Sequence, residues 1–145
     1  MRPFLILTLF LSAVVLPGGF LLAESKHGTK EEAQAMATKA ADLLQKDGPD
    51  KAFAAFNAGG GWRDGDLYVF VIDKTGTWRA SGARPELIGT KVDLDKPVVK
   101  EMLAIDKNGW VAYKFKSPAD NQEHDKSSYV VRVGDFLVGA GAYQY

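Results

Sequence analysis

Six residues of this 145-residue chain have side chains suited to holding a small polar molecule: Trp62, Tyr68, Arg79, Ser81, Tyr113 and Lys126. Arg79 and Ser81 stand two apart in the β-favouring stretch Thr77-Trp78-Arg79-Ala80-Ser81, so a regular strand puts both on one face. If that face lines a pocket, the two-pronged guanidinium of Arg79 can hold a carboxylate. Lys126 places a compact positive charge just before the strand-like run Ser127 to Val133, where it suits an anion against an aromatic wall. Tyr68 and Tyr113 sit in apolar runs and can each present a hydroxyl, and Trp62, at the start of a segment, can form a lid or wall. Each has an ordinary alternative, because charged side chains are mostly exposed and large aromatics, Trp110 foremost, mostly fill cores. Two cations meeting in one apolar-walled space with Tyr68 and Tyr113 would select a compact anion.

Catalytic chemistry is poorly provided for. His27 and His124 lie in polar surroundings near the mature start and in a loop, about as far from a shared site as the sequence allows, and no HExxH, GxSxG or metal-spaced cluster occurs. Asp64, Asp66 and Asp73 read as turn formers from their glycine neighbours and strand ends. No catalytic residue, metal or cofactor is therefore assigned. The 18 basic and 18 acidic residues balance and are interspersed, with no basic face and no stacking aromatics to suggest nucleic-acid binding.

Positioning those six residues requires a sheet. Leu67 to Ile72 is an unbroken apolar run, as expected of a strand covered on both faces. Asp73-Lys74-Thr75-Gly76 then turns the chain, and the β-favouring residues that follow make the stretch a hairpin. Upstream, Ala33, Met36, Ala40, Leu43 and Leu44 recur at helical spacing after Thr29, which forms a capping-box pattern with Glu32; Gly48-Pro49 ends this helix and begins a shorter one to Ala58. Gly59-Gly60-Gly61 reads as a connector, and Arg84 to Leu94 as a crossing loop. Lys96 to Asp106 reads as a third helix ended by Asn108-Gly109. Trp110 to Lys116, Ser127 to Val133 and Phe136 to Tyr143 read as three strands, the last two joined by Gly134-Asp135. The expected class is α+β, an antiparallel sheet of five to six strands with helices on one face.

The first 23 residues stand apart: Met1-Arg2 is a positive start, Phe4 to Leu16 an apolar core, and Pro17-Gly18-Gly19 a break before Ala23. This is the pattern of a secretory signal peptide, shorter than the ~20 apolar residues of a bilayer-spanning helix. A retained membrane anchor is the alternative. With no cysteine, neither disulfides nor lipidation at a cysteine arises. The remaining 24–145 make one domain of ordinary size.

The run "LYVFVIDKTGTWRASG", then "PELIGTKV", "NGWVAYKF", "SP", a lysine before "SYVVRV", and "DFLVGAGAY" closely resembles the single Cache domain of bacterial extracytoplasmic sensors, over Lys30 to Tyr143. The resemblance implies a PAS-like fold, with the long N-terminal helix behind the sheet and a small-molecule pocket on the other side. It also implies ligands such as carboxylates, amino acids or similar polar metabolites, and a role in signal transduction or chemotaxis. Relatives usually carry histidine and proline after the second strand, where this chain has Ser81-Gly82. Tyr145 directly follows the last strand, so the expectation is a free-standing periplasmic form. It would act through a membrane receptor or sensor kinase, with homodimerisation through the N-terminal helix an open question. A small periplasmic enzyme on the same fold is the alternative. An acid/base pair buried in the pocket would favour the enzyme, and a positively charged, acid-free pocket would favour binding.

Overall fold

A computed structural model describes residues 26–145; the signal-peptide reading of residues 1–23 lies outside them. The elements run α1 (Lys30–Asp47), α2 (Pro49–Asn57), a 3-10 turn (Gly60–Trp62), β1 (Arg63–Asp64), β2 (Leu67–Asp73), β3 (Trp78–Ser81), a second 3-10 turn (Pro85–Leu87), α3 (Pro97–Leu103), β4 (Asn108–Lys116), β5 (Glu123–Val133) and β6 (Phe136–Gln144). All strand pairings are antiparallel, in the order β2-β6-β5-β4, and the outer edge of β2 is shared by β1 and β3. This is the expected α+β, PAS-like sheet. Strand β2 lies inside it, which is why all seven of its residues are buried.

Both halves of the Thr29/Glu32 capping box form: the Glu32 amide donates to Thr29 Oγ1, and the Thr29 amide donates to Glu32 Oε2. The face that α1 turns to the sheet is Ala33, Ala37, Ala40, Ala41 and Leu44, and the small side chains let the helix lie close over β5 and β6. Below it, Val69 and Val71 of β2, Ala80 of β3 and Val138 of β6 complete a dry apolar layer with Phe56 of α2.

The third helix departs from the expectation. It ends at Leu103, and it lies on the opposite face of the sheet, where Met102 joins Tyr68, Phe70 and Leu137. Asn108-Gly109, expected to end it, instead opens β4, pairing with Val131 and Val130. Strand β5 begins at Glu123, four residues before Ser127. Its first residues pair with Lys116 to Tyr113, and their polar side chains, with Glu123 and Asp125 exposed, disguise the strand.

The Asp73 turn forms as read. Asp73 Oδ1 accepts from the amides of Thr75 and Thr77 and from the Thr75 hydroxyl, and Gly76 takes φ +80°.

Candidate functional site

The face of the sheet away from α1 is built by alternation. Tyr68, Phe70 and Ile72 of β2, Tyr113 and Phe115 of β4, Lys126 and Ser128 of β5, and Gly139, Gly141 and Tyr143 of β6 share it through the strand register. Above it, α3 and the loop after β3 leave a cavity of about 230 Å³, with Phe70, Ile72, Trp78, Leu87, Val98 and Met102 among its apolar walls and Tyr113 and Phe115 at its side. Asp93, Lys96 and Lys114 are the charged residues that line it. Gly139 and Gly141 make the floor possible. A Cβ on Gly139 would lie 2.4 Å from the Phe70 ring, and one on Gly141 would lie 2.2 Å from Ser128 Oγ and 2.7 Å from Lys126 Cε.

Lys126 is 2% exposed. Its Nζ donates to Tyr68 Oη at 3.1 Å and sits 4.3 to 5.3 Å from the ring centroids of Tyr68, Tyr143, Phe115 and Phe70. Phe70 and Phe115 also line the cavity, so the lysine's cage and the cavity share walls. No carboxylate pairs with this ammonium among the described residues. Burial disfavours its charged form, but Tyr113 and Tyr68, with the Tyr68 hydrogen bond, outweigh that and raise its pKa. The ring faces supply cation–π attraction in the same place. Burial pushes the Tyr113 and Tyr143 hydroxyls up, so both are neutral donors at physiological pH. Tyr68 and Tyr143 bond each other at 3.1 Å, and Tyr113 bonds Ser128 at 2.9 Å.

The second cation is Arg84. Its Nη1 donates to Glu86 at 3.3 Å and its Nη2 to the Lys116 carbonyl at 3.0 Å, which also accepts from the Tyr143 hydroxyl. Its Nε is buried with no partner among the described residues. Arg84 lies in a loop without periodicity, and only its place just after β3 and before Pro85 could have marked it.

The structure brings Tyr68, Tyr113 and Lys126 together and separates the other three candidates from them. Arg79 does not reach the pocket. The β2/β3 register matches Ile72 with Trp78 and Val71 with Ala80, so Arg79 is the extra residue of a bulge. The bulge breaks the alternation, and Trp78 rather than Arg79 shares the pocket face with Ser81. Arg79 points to solvent and pairs with Asp73 Oδ2 at 2.8 Å. Ser81 is buried and structural: its hydroxyl accepts from the Arg84 amide at 2.9 Å, and its own amide donates to Asn57. It positions the loop that carries Arg84. Trp62 lies on the helix side of the sheet, edge-on to Phe56 at 5.0 Å and under Lys39, and is no part of the cavity. Trp110, expected in the core, is 40% exposed at the β4 edge, where it packs on Tyr129.

The family model for the Cache domain matches residues 23–145. The chain belongs to the Cache-domain family. Cache domains are extracytoplasmic sensor domains, and among the described residues no helix is long and apolar enough to cross a membrane. Three solved structures share the Cache fold. A methyl-accepting chemotaxis protein from Vibrio parahaemolyticus is 18% identical with a TM-score of 0.64, covering 79% of this chain and 87% of that one. A periplasmic sensor domain of a chemotaxis protein is 20% identical with a TM-score of 0.58, covering 79% and 90%. A Cache chemosensory domain described for carboxylic acid recognition is 21% identical with a TM-score of 0.58, covering 79% and 88%. No curated protein matches the chain.

One expectation about this Cache domain is reversed. His27 and His124, far apart in sequence, flank a single ring, with centroids 4.1 and 4.5 Å from that of Tyr145. The Tyr145 hydroxyl bonds Asp66 Oδ2 and Ser117 Oγ, each at 2.6 Å. Asp66 is more than a turn former: buried, it also takes the Gly28 amide at 2.7 Å and lies 3.0 Å from His27 Nδ1. Burial and the Asp66 bond push the Tyr145 hydroxyl up to about 12. Ser117, His124 and Asp120 are the residue types of a hydrolytic triad, but Ser117 is buried and its hydroxyl is bonded to Tyr145 rather than to the histidine. No three metal-ligating side chains cluster among the described residues.

Proposed function

We propose that this Cache domain is exported to the periplasm, binds a small carboxylate in the cavity beside Lys126, and presents its occupancy to a membrane chemoreceptor or sensor kinase. The observation that carries the reading is the Lys126 ammonium, enclosed by four aromatic rings with no carboxylate beside it. Burying an unpaired charge is costly, so the arrangement is complete only when an anion arrives. Tyr68, Tyr113 and Tyr143 supply hydroxyls to orient it, and Arg84 adds a second positive group. The carboxylic acid recognition described for one similar Cache domain accords with this. The one acid lining the cavity, Asp93, is exposed to solvent, and among the described residues the cage holds no carboxylate, which favours binding over the enzyme alternative.

Binding and export have separate tests, and so does the pairing of two copies through the N-terminal helix. Thermal-shift and calorimetric titration with short carboxylates should raise Tm for the wild type and leave Lys126→Met unmoved. Equal responses from both would refute the site. Export is tested by intact-mass analysis, with an N-terminus near Glu24 expected and a retained Met1 in the membrane fraction contradicting it. Pairing of two copies would use the polar outer strip of α1, Gln34, Thr38 and Gln45, and sedimentation velocity measures it.

A further inference from the structure

We infer that β4 is a self-pairing edge, through which two copies of the chain join their sheets antiparallel about a two-fold axis at Ala112. The sheet has one open edge among the described residues. At its other end the outer side of β2 is shared by β1 and β3, whereas nothing pairs with the outer side of β4. The parity of the β4/β5 ladder tells which groups are left there. The Ser117 amide donates to the Gln122 carbonyl and the Arg132 amide to the Lys107 carbonyl, so the odd-numbered residues of β4 turn their backbone groups to β5. Trp110, Ala112 and Lys114 therefore present amides and carbonyls outward, and no other backbone hydrogen bond among the described residues reaches them. Their side chains are exposed as well, Trp110 by 40%.

Open edges invite strand addition, and exposed lysines ordinarily deter it. Lys114 and Lys116 deter it only in registers that set them against each other. Ala112 is the midpoint of Asn108–Lys116, so a two-fold axis there overlaps the whole strand. It sets Trp110 opposite Lys114 of the other copy and Asn108 opposite its Lys116, and no lysine faces a lysine. An axis two residues further on would oppose the two copies of Lys114 directly. The axis at Ala112 meets only methyl groups, the smallest side chains on the exposed face of β4.

Packing on Tyr129 at 5.2 Å fixes the Trp110 ring beside the seam. Lys114 is paired with Asp125 at the surface, a contact weak enough to yield to the Trp110 ring of the other copy. On the opposite face the same register brings Val111 beside Tyr113 of the other copy, apolar against aromatic. The pairs at Trp110, Ala112 and Lys114 exchange about six backbone hydrogen bonds. Lys116 adds less, because its carbonyl already accepts from Arg84 and Tyr143. The seam is small, so association is reversible and concentration-dependent. It is distinct from the outer strip of α1 and independent of what the cavity holds.

The chain has no cysteine, so a single introduced thiol reports the register. In a hydrogen-bonded antiparallel pair the two Ala112 Cα atoms lie about 5.5 Å apart, within the disulfide range of about 4.4–6.8 Å. The two Lys114 Cα atoms are offset by about 13 Å along the strands and lie out of reach. Mild oxidation of the exported protein should therefore crosslink Ala112→Cys at least tenfold faster than Lys114→Cys or, on α1, Gln34→Cys. Equal rates at Ala112 and Lys114, or none at either, would leave only random collision, and faster crosslinking through Gln34→Cys would move the contact to α1; each overturns the seam. Sedimentation equilibrium tests it without a thiol. Wild type should self-associate, and Ala112→Lys, which opposes two lysines at the axis, should weaken association at least tenfold at low salt and recover at high salt. Because Ala112 is exposed, the variant should keep the wild-type circular dichroism. A monomeric wild type, or a dimer indifferent to Ala112→Lys, overturns the pairing.

Discussion

The two faces of one sheet obey opposite rules. On the α1 side, Val69, Val71, Ala80, Val138 and Ala140 meet Ala33, Ala37, Ala40 and Ala41, a layer of small apolar side chains packed close to the helix. On the other side the same strands present Tyr68, Phe70, Lys126, Ser128 and Tyr143, with a buried ammonium, hydroxyl pairs and a cavity. The first face gains stability from dense contact and the transfer of apolar surface from water. The second gives some of that up. A well-packed apolar layer there would stabilise the fold more than a buried lysine without a carboxylate partner does, and the proposed ligand site rests on that difference.

The largest break in this contrast comes from charging the dry face. Ala40 is fully buried with no polar group in its layer, so Ala40→Asp should cost more than about 4 kcal/mol and leave a chain without a cooperative melt by circular dichroism. Removing the charge on the other face should have the opposite sign. Lys126→Met keeps the volume and deletes the unpaired ammonium, so ligand-free stability should be unchanged or rise by about 1–4 kcal/mol in denaturant melts, while carboxylate binding is lost. A drop of several kcal/mol would mean that the cage is structural.

Gly141→Ala sharpens the comparison by filling rather than discharging the site. Its Cβ would overlap Ser128 Oγ and crowd Lys126 Cε, for a cost of about 1–3 kcal/mol by thermal melt and weakened carboxylate binding by calorimetry. The smallest effects belong to the solvent-side pair at the turn. Arg79→Ala should cost no more than about 1 kcal/mol and leave carboxylate affinity unchanged, since the pair with Asp73 is half-exposed. Burial alone would raise the Asp73 pKa, but the Thr75 hydroxyl, the amides of Thr77 and Thr75, and Arg79 hold it near 2. Because the folded value is depressed, the advantage of wild type over Asp73→Asn is full above the ordinary value of 3.8. It should disappear as the pH falls toward about 2, a window that acid melts of the two proteins resolve.

Local chemistry was legible in the sequence. The Thr29/Glu32 box, the Gly48-Pro49 break, the Asp73-to-Gly76 turn and the apolar run of β2 depend on residues within a few positions of one another, so type and spacing suffice to place them. The family resemblance rests on the same motifs, whereas of the six candidate site residues only Lys126, Tyr68 and Tyr113 come together in the structure.

What only the tertiary structure decided involves register and long-range closure. A one-residue bulge in β3, invisible in composition, sends Arg79 to water and gives its face to Trp78, because a shift of one residue exchanges the two sides of a strand. Arg84 reaches the site because the loop after β3 folds over β4, and α3 crosses to the pocket face. His27 and His124 meet on Tyr145 because the segment before α1, the β4–β5 hairpin and the end of β6 close together. Local spacing determines which elements form and which residues share a face while the strand stays regular. Which charged groups come near the cavity, and which aromatic rings leave it, depends on contacts between segments tens of residues apart, to which local propensity is blind.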